Sequence, residues 1–184
     1  MRIVAGRYRG ARLQAPPGDR VRPTSDRARE ALFNLLENGR HKRALHGQCV
    51  FDGCAGTGAL GLEALSRGAE HVIFMEQAAD ALACLRANCQ RLGAAENVTV
   101  IMGDVTKPGR RPPRQANLLL LDPPYNQGLG PVALTALLDA GWLATDCMVV
   151  LEIAAKEVFD PVAGFTLLDE RRYGAARLVF LGRT

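Results

Sequence analysis

No stretch of this sequence stays apolar for long. The longest apolar runs are a few residues, such as Leu118 to Leu121, far short of the roughly 20 needed for a membrane span. Met1 to Gly10 is basic but has no apolar segment of about 7–15 residues, so no secretory leader is expected. Paired cysteines are missing too. The five (Cys49, Cys54, Cys84, Cys89 and Cys147) are odd in number, with no Cys-x-x-Cys and no His/Cys cluster. This argues against a disulfide framework and a structural zinc site; no metal is expected, and a reducing cytoplasm is the expected location. Internal repeats and low-complexity segments are absent.

A large excess of one charge is also missing. There are 23 Lys and Arg against 19 Asp and Glu, a net charge of +4. What remains is 184 residues, 48% hydrophobic, enough for the core of one ordinary domain and too apolar for disorder. The charge is unevenly spread. Residues 1–43 hold eleven cations and four acids, whereas residues 44–184 hold twelve and fifteen. We therefore expect a basic N-terminal arm, 1–43, packed on a slightly acidic main domain, 44–184.

Arg2 to Ala15 reads as a β-hairpin turning at Gly6-Arg7-Tyr8-Arg9-Gly10. Thr24, Ser25 or Asp26 can then cap a helix with Ala28, Ala31, Leu32, Leu35 and Leu36 on one face, ended by Asn38-Gly39. From position 48, short apolar runs (49–51, 72–75, 98–102, 118–121 and 148–153) alternate with helical stretches at 59–67, 79–92 and 130–140. That alternation predicts a parallel sheet with helices on both faces. Residues 165–172 and 176–181 read as a terminal hairpin, adding an antiparallel strand.

Ligands of such sheets sit at the carboxyl ends of the strands. Asp52, Glu76 and Asp122 each follow a strand, and Asp104 follows another closely. Asp52 opens a glycine loop, Gly53-Cys54-Ala55-Gly56-Thr57-Gly58-Ala59-Leu60-Gly61, that matches a nucleotide-binding fingerprint. A dinucleotide would bring an anionic pyrophosphate against Asp52. S-adenosylmethionine brings an ammonium and a sulfonium instead, and is the expected cofactor, with S-adenosylhomocysteine as product. Asp52, Gly53, Ala55, Gly56 and Gly58 are expected around its methionine part, Glu76 on the ribose, and Asp104 and Val105 at the adenine.

The run Leu118–Leu121 ends in Asp122-Pro123-Pro124-Tyr125. The prolines remove two backbone donors, which leaves acceptors at Asp122 and Pro123 and a ring at Tyr125. That set suits a planar base carrying an exocyclic amine, so Asp122, Pro123, Pro124 and Tyr125 are the expected catalytic group.

The loop and the Asp-Pro-Pro-Tyr motif together resemble amino-methyltransferases. More narrowly, Arg2–Gly6, Arg9-Gly10, Arg22–Asn34, Gly58–Ala69 and Asp122–Tyr125 resemble the bacterial small-subunit rRNA guanine-N2 methyltransferases, the RsmD family. The resemblance implies a seven-stranded Rossmann-like, class I methyltransferase fold of α/β type. It also implies transfer from S-adenosylmethionine to guanine N2 in 16S rRNA, within an assembled or assembling small (30S) subunit. At the loop the family often has Asp-Leu-Phe-Ala-Gly, so Gly53 and Cys54 are smaller here, which is expected to loosen packing behind the cofactor.

With no room for a separate recognition domain, RNA contacts are expected from Arg7, Tyr8, Arg9, Arg12, Arg22 and Thr24. Arg27 and Arg29 read either as further contacts or as ion-pair partners of Asp26 or Glu30. A monomer is expected, with no membrane partner. Two alternatives stay open: an N6-adenine DNA or RNA methyltransferase, and a non-catalytic RNA-binding assembly factor on the same scaffold. A cytosine-C5 enzyme is disfavoured because no cysteine follows a proline and none is expected near Asp122.

Overall fold

The computed structural model describes residues 1–16, 26–40, 44–160 and 162–184; the side chains of Asp26 and Arg27, and the expected contacts Arg22 and Thr24, lie outside that description. After helix α1 (Asp26–Asn38) come β1 (Cys49–Gly53), α2 (Ala59–Ser66), β2 (His71–Glu76), α3 (Ala79–Arg91), β3 (Val98–Met102) and β4 (Ala116–Leu121). Helix α4 (Leu129–Asp139), then β5 (Leu143–Ala154), β6 (Phe165–Tyr173) and β7 (Ala176–Arg183), complete the chain.

The seven strands form one mixed sheet in the order β3-β2-β1-β4-β5-β7-β6. Strands β1 to β5 run parallel and β7 lies antiparallel to β5, as expected of the seven-stranded fold. Every residue of β1 is buried, because helices cover both faces of the central strands. One apolar cluster, with Leu62, Leu65 and Leu85, fills the α2 and α3 side; the other, with Leu134, Leu137 and Trp142, fills the α4 side. Among the described residues no helix is long and apolar enough to cross a membrane.

The arm departs from a regular hairpin. Arg2 and Arg12 make a single antiparallel bridge, and most of the segment is turn. Its anchorage is to α2. The Val4 and Ala5 amides donate to the Glu63 carboxylate at 2.7 and 3.0 Å. The Arg7 amide donates to the Ser66 carbonyl at 2.8 Å and the Tyr8 amide to the Ser66 hydroxyl at 2.9 Å. Gly6, at φ +80°, passes so close that a Cβ there would stand 1.9 Å from the Ser66 carbonyl oxygen. Ile3 and Leu13 enter the α2-side core.

Helix α1 buries a different face from the one its pattern suggests. Arg29, Leu32, Phe33 and Leu36 are buried, while Ala28, Ala31 and Leu35 are only partly so. Arg29 is therefore not an exposed RNA contact. Fully buried, it faces Glu63 at 3.5 Å and donates to the Arg2 carbonyl. Glu63 also accepts from Arg67 Nε at 2.8 Å, and Arg67 reaches Glu37 at 2.7 Å.

Candidate active site

Strand register assembles the site. Gly53 pairs with Met75 on one side and Leu121 on the other, and Leu121 pairs with Leu151. The next residues along β2, β4 and β5 are Glu76, Asp122 and Glu152, so all three carboxylates arrive at one edge. They line a cavity of about 680 Å³ together with Asp52 and Asp104.

Asp52 lies within β1 rather than after it. Its carboxylate accepts from the Gly61 amide at 2.8 Å. Helix α2 is preceded by Gly58 at its N-cap position, which has no side chain to cap it. Asp52 supplies that cap from nine residues earlier, satisfying one of the orphan amides at the positive end of the helix. Burial pushes its carboxyl well above the usual range, against the opposing pull of the Gly61 bond, and Asp122 and Glu76 raise it further.

Glu76 closes the glycine loop. One oxygen accepts from the Gly56 amide at 2.7 Å, and the other from the Gln77 and Ala78 amides at 2.9 and 2.8 Å. A carboxylate has about four acceptor sites, so one remains. One Asp104 oxygen is taken by the Thr106 amide and hydroxyl, which hold this carboxyl below its ordinary value.

The glycines divide by role. At Gly56, φ +55°, the missing Cβ faces open space, and Gly56 and Ala55 line the cavity. Gly53 and Gly58 do not line it. A Cβ at Gly58 would stand 2.3 Å from Leu85, and one at Gly53 3.0 Å from Leu121 and 3.1 Å from Val105. Leu121 and Val105 thus close in on the small residue at 53, and the packing there is tight rather than loosened.

The expectation that no cysteine lies near Asp122 fails at Cys54, which the turn after β1 brings into the same cavity. It adopts φ +61° and lines the cavity beside Asp122. Burial, then Glu76, Asp52, Asp122 and Asp104, push its thiol up to about 12. It remains a thiol at neutral pH, which removes it as a nucleophile.

Asp122 and Tyr125 sit at the mouth. The Tyr125 hydroxyl donates to the Glu152 carboxylate, which fixes the ring. Glu152 is a second site residue that sequence reasoning missed; its signal was a lone acid in an otherwise apolar strand end, Met148 to Ile153. Met1 and Ala28 also reach the cavity. Arg7, Tyr8, Arg9 and Arg12 do not. The arm tip is fixed to Ser66, at the far end of α2 from the cavity-lining Ala59 and Leu60, about 12 Å along an eight-residue helix. There Arg7 stacks on Tyr8, 4.6 Å from the ring centre.

Comparison with known proteins agrees with this geometry. The family described as conserved hypothetical protein 95 matches residues 1–182. The chain is 33% identical to the ribosomal RNA small subunit methyltransferase D of Haemophilus influenzae, over 95% of this chain and 89% of that protein. It is 36% identical to the protein of the same name from Escherichia coli, over 83% and 74%. The solved structure of the Escherichia coli protein yhhF superimposes with a TM-score of 0.85 at 32% identity, covering 100% of this chain and 97% of that one. Motifs, fold and comparisons converge: the chain belongs to the conserved hypothetical protein 95 family, the RsmD family of methyltransferases.

Proposed function

We propose that this protein methylates the exocyclic N2 of a guanine in 16S rRNA of the small subunit, with S-adenosylmethionine as donor. The observation that carries this reading is the acidic cavity. Five carboxylates from five adjacent strands surround it, with Asp122-Pro123-Pro124-Tyr125 at its mouth. Such a bowl repels phosphate and favours a cationic ligand.

The donor set fits S-adenosylmethionine. Ala55 and the open side of Gly56 take its methionine part beside Asp52. The remaining acceptor site of Glu76 would take a ribose hydroxyl, and Asp104 with the Val105 backbone would take the adenine edge. When bound, the cofactor supplies a methyl group made electrophilic by its sulfonium. Tyr125, anchored by Glu152, stacks on the target base. The Asp122 carboxylate and the Pro123 carbonyl accept the amine hydrogens, which aims the nitrogen lone pair into the cavity. The proton lost from that nitrogen passes to Asp122.

The test is labelled methyl transfer to small subunits and to free 16S rRNA, followed by nucleoside analysis. Label in N2-methylguanosine is the expected result. Label in N6-methyladenosine without N2-methylguanosine overturns the guanine assignment. Absence of S-adenosylmethionine binding, even with RNA present, makes the protein an assembly factor.

Asp52 yields a second expectation. Its carboxyl titrates higher in the folded chain than in the unfolded one, so the folded state gains as this group protonates and loses that gain as pH rises through the folded value. Asp52→Asn keeps an acceptor for the Gly61 amide and removes the buried charge. Thermal melts at neutral pH should show an unchanged or higher midpoint. Calorimetry should show cofactor affinity lower by about tenfold or more, the size of a charge-assisted hydrogen bond. Unchanged affinity would confine Asp52 to capping α2.

A further inference from the structure

The connection between β3 and β4 is the most basic segment outside the arm. Residues 105–115 contain Lys107, Arg110, Arg111 and Arg114 and no acid. The connection leaves the cavity rim, since Gly103 to Thr106 line it, and it crosses to β4 without a helix.

It is also held in place. The Lys107 amide donates to the Asp104 carbonyl at 2.9 Å, and the Trp142 indole donates to the Gly109 carbonyl at 3.2 Å. The Gln115 side chain donates to the Gly141 carbonyl at 2.9 Å. Pro108, Pro112 and Pro113 restrict the backbone between these anchors. Arg114 is committed to Glu70 at 2.6 Å. Lys107, Arg110 and Arg111 are exposed and make no ion pair among the described residues.

Three unpaired cations on a stiff loop repel one another, and a phosphate chain relieves that repulsion. Arginine forks suit phosphate oxygens in particular. Trp142 belongs to the α4-side core, whereas the arm docks on the α2 side. The connection thus runs from the cavity rim at Asp104–Thr106 to the amino-end edge of the sheet, where Gln115 and Gly109 are held at Gly141 and Trp142; Lys107 stands near the rim, and Arg110 and Arg111 lie further along toward the opposite edge. A polynucleotide with one base in the acidic cavity has its phosphates repelled from the rim, and a strand leaving that rim along the connection meets Lys107, Arg110 and Arg111 in turn.

We propose that the β3–β4 connection is a second phosphate-contact surface for the substrate RNA, with Lys107, Arg110 and Arg111 as its contact residues. This rests on the reading of the chain as an rRNA methyltransferase. The test compares the wild type with Arg110→Ala/Arg111→Ala; Lys107 is left intact because it neighbours Asp104. RNA affinity and the KM for subunits are measured across a salt series, with kcat and S-adenosylmethionine binding alongside. Loss of two contacts should raise the KM several-fold and lower the slope of log affinity against log salt by about 1.5, with kcat and cofactor affinity unchanged. An unchanged slope and KM in an active enzyme overturn this proposal alone. A fall in kcat at constant KM overturns it as well, because the loop would then act on the site rather than on RNA. A wild type that modifies no RNA overturns both this proposal and the functional reading beneath it.

Discussion

Asp122→Ala is expected to lower kcat by about a hundredfold to ten-thousandfold, the range for losing a positioned proton-accepting group, while S-adenosylmethionine still binds. Asp122 lies at the end of β4, and register places it beside Glu152 and across from the glycine loop. It lines the cavity, whereas the loop closure depends on Glu76 and the helix cap on Asp52. Removing the Asp122 carboxylate therefore leaves the proposed cofactor contacts standing and takes away the acceptor that aims the amine. Single-turnover methyl transfer, with cofactor affinity measured in parallel, checks this. Asp122→Asn keeps one acceptor oxygen and should fall between the two. Equal loss of cofactor binding and turnover would show that Asp122 supports the fold rather than the reaction.

The second large effect concerns Glu63. Glu63→Ala should destabilise the protein by about 3–5 kcal/mol, the range for breaking a buried ion pair from one side. For a chain of this size that is a fall of about 6–20 °C in Tm. The mutation removes the carboxylate that faces the buried Arg29 guanidinium and strips the Val4 and Ala5 amides of their acceptor. Glu63→Gln retains an acceptor for those amides and should lose less. Thermal melts give the magnitude, and limited proteolysis within residues 1–16 reports whether the arm has come away. A change below about 1 kcal/mol would mean that Ile3 and Leu13 alone hold the arm.

The sheet was legible in the sequence because each central strand is a short apolar run bounded by turn residues. Those runs place every strand, with shifts of a few residues at the ends. The acids were legible because they stand where runs stop. Glu152 was not, since it interrupts a run instead of ending one, and only the pairing of Leu121 with Leu151 shows that it reaches the same edge. The anchorage of the arm was hidden for another reason. Residues Leu60 to Ser66 of α2 are all buried, so one side packs on the sheet and the other under the arm. Nothing local in the sequence marks the polar Glu63 and Ser66 as buried. Arg29 looked like one more surface cation, because nothing local distinguishes a guanidinium that pairs across 34 positions of sequence. The β3–β4 cations vanished into the average of an acidic body.

The arm's anchors carry a consequence for how the chain is made. Val4 and Ala5 find their acceptor 59 and 58 residues downstream, and the Gln14 amide donates to Asn88, 74 residues on, at 2.7 Å. At roughly 5–20 residues per second of synthesis, the first residues to leave the ribosome wait several seconds before a docking partner exists. The arm is first to be translated but can settle only after α2 and α3 have followed it. A nascent chain stalled before α2 has emerged should therefore leave it open to protease.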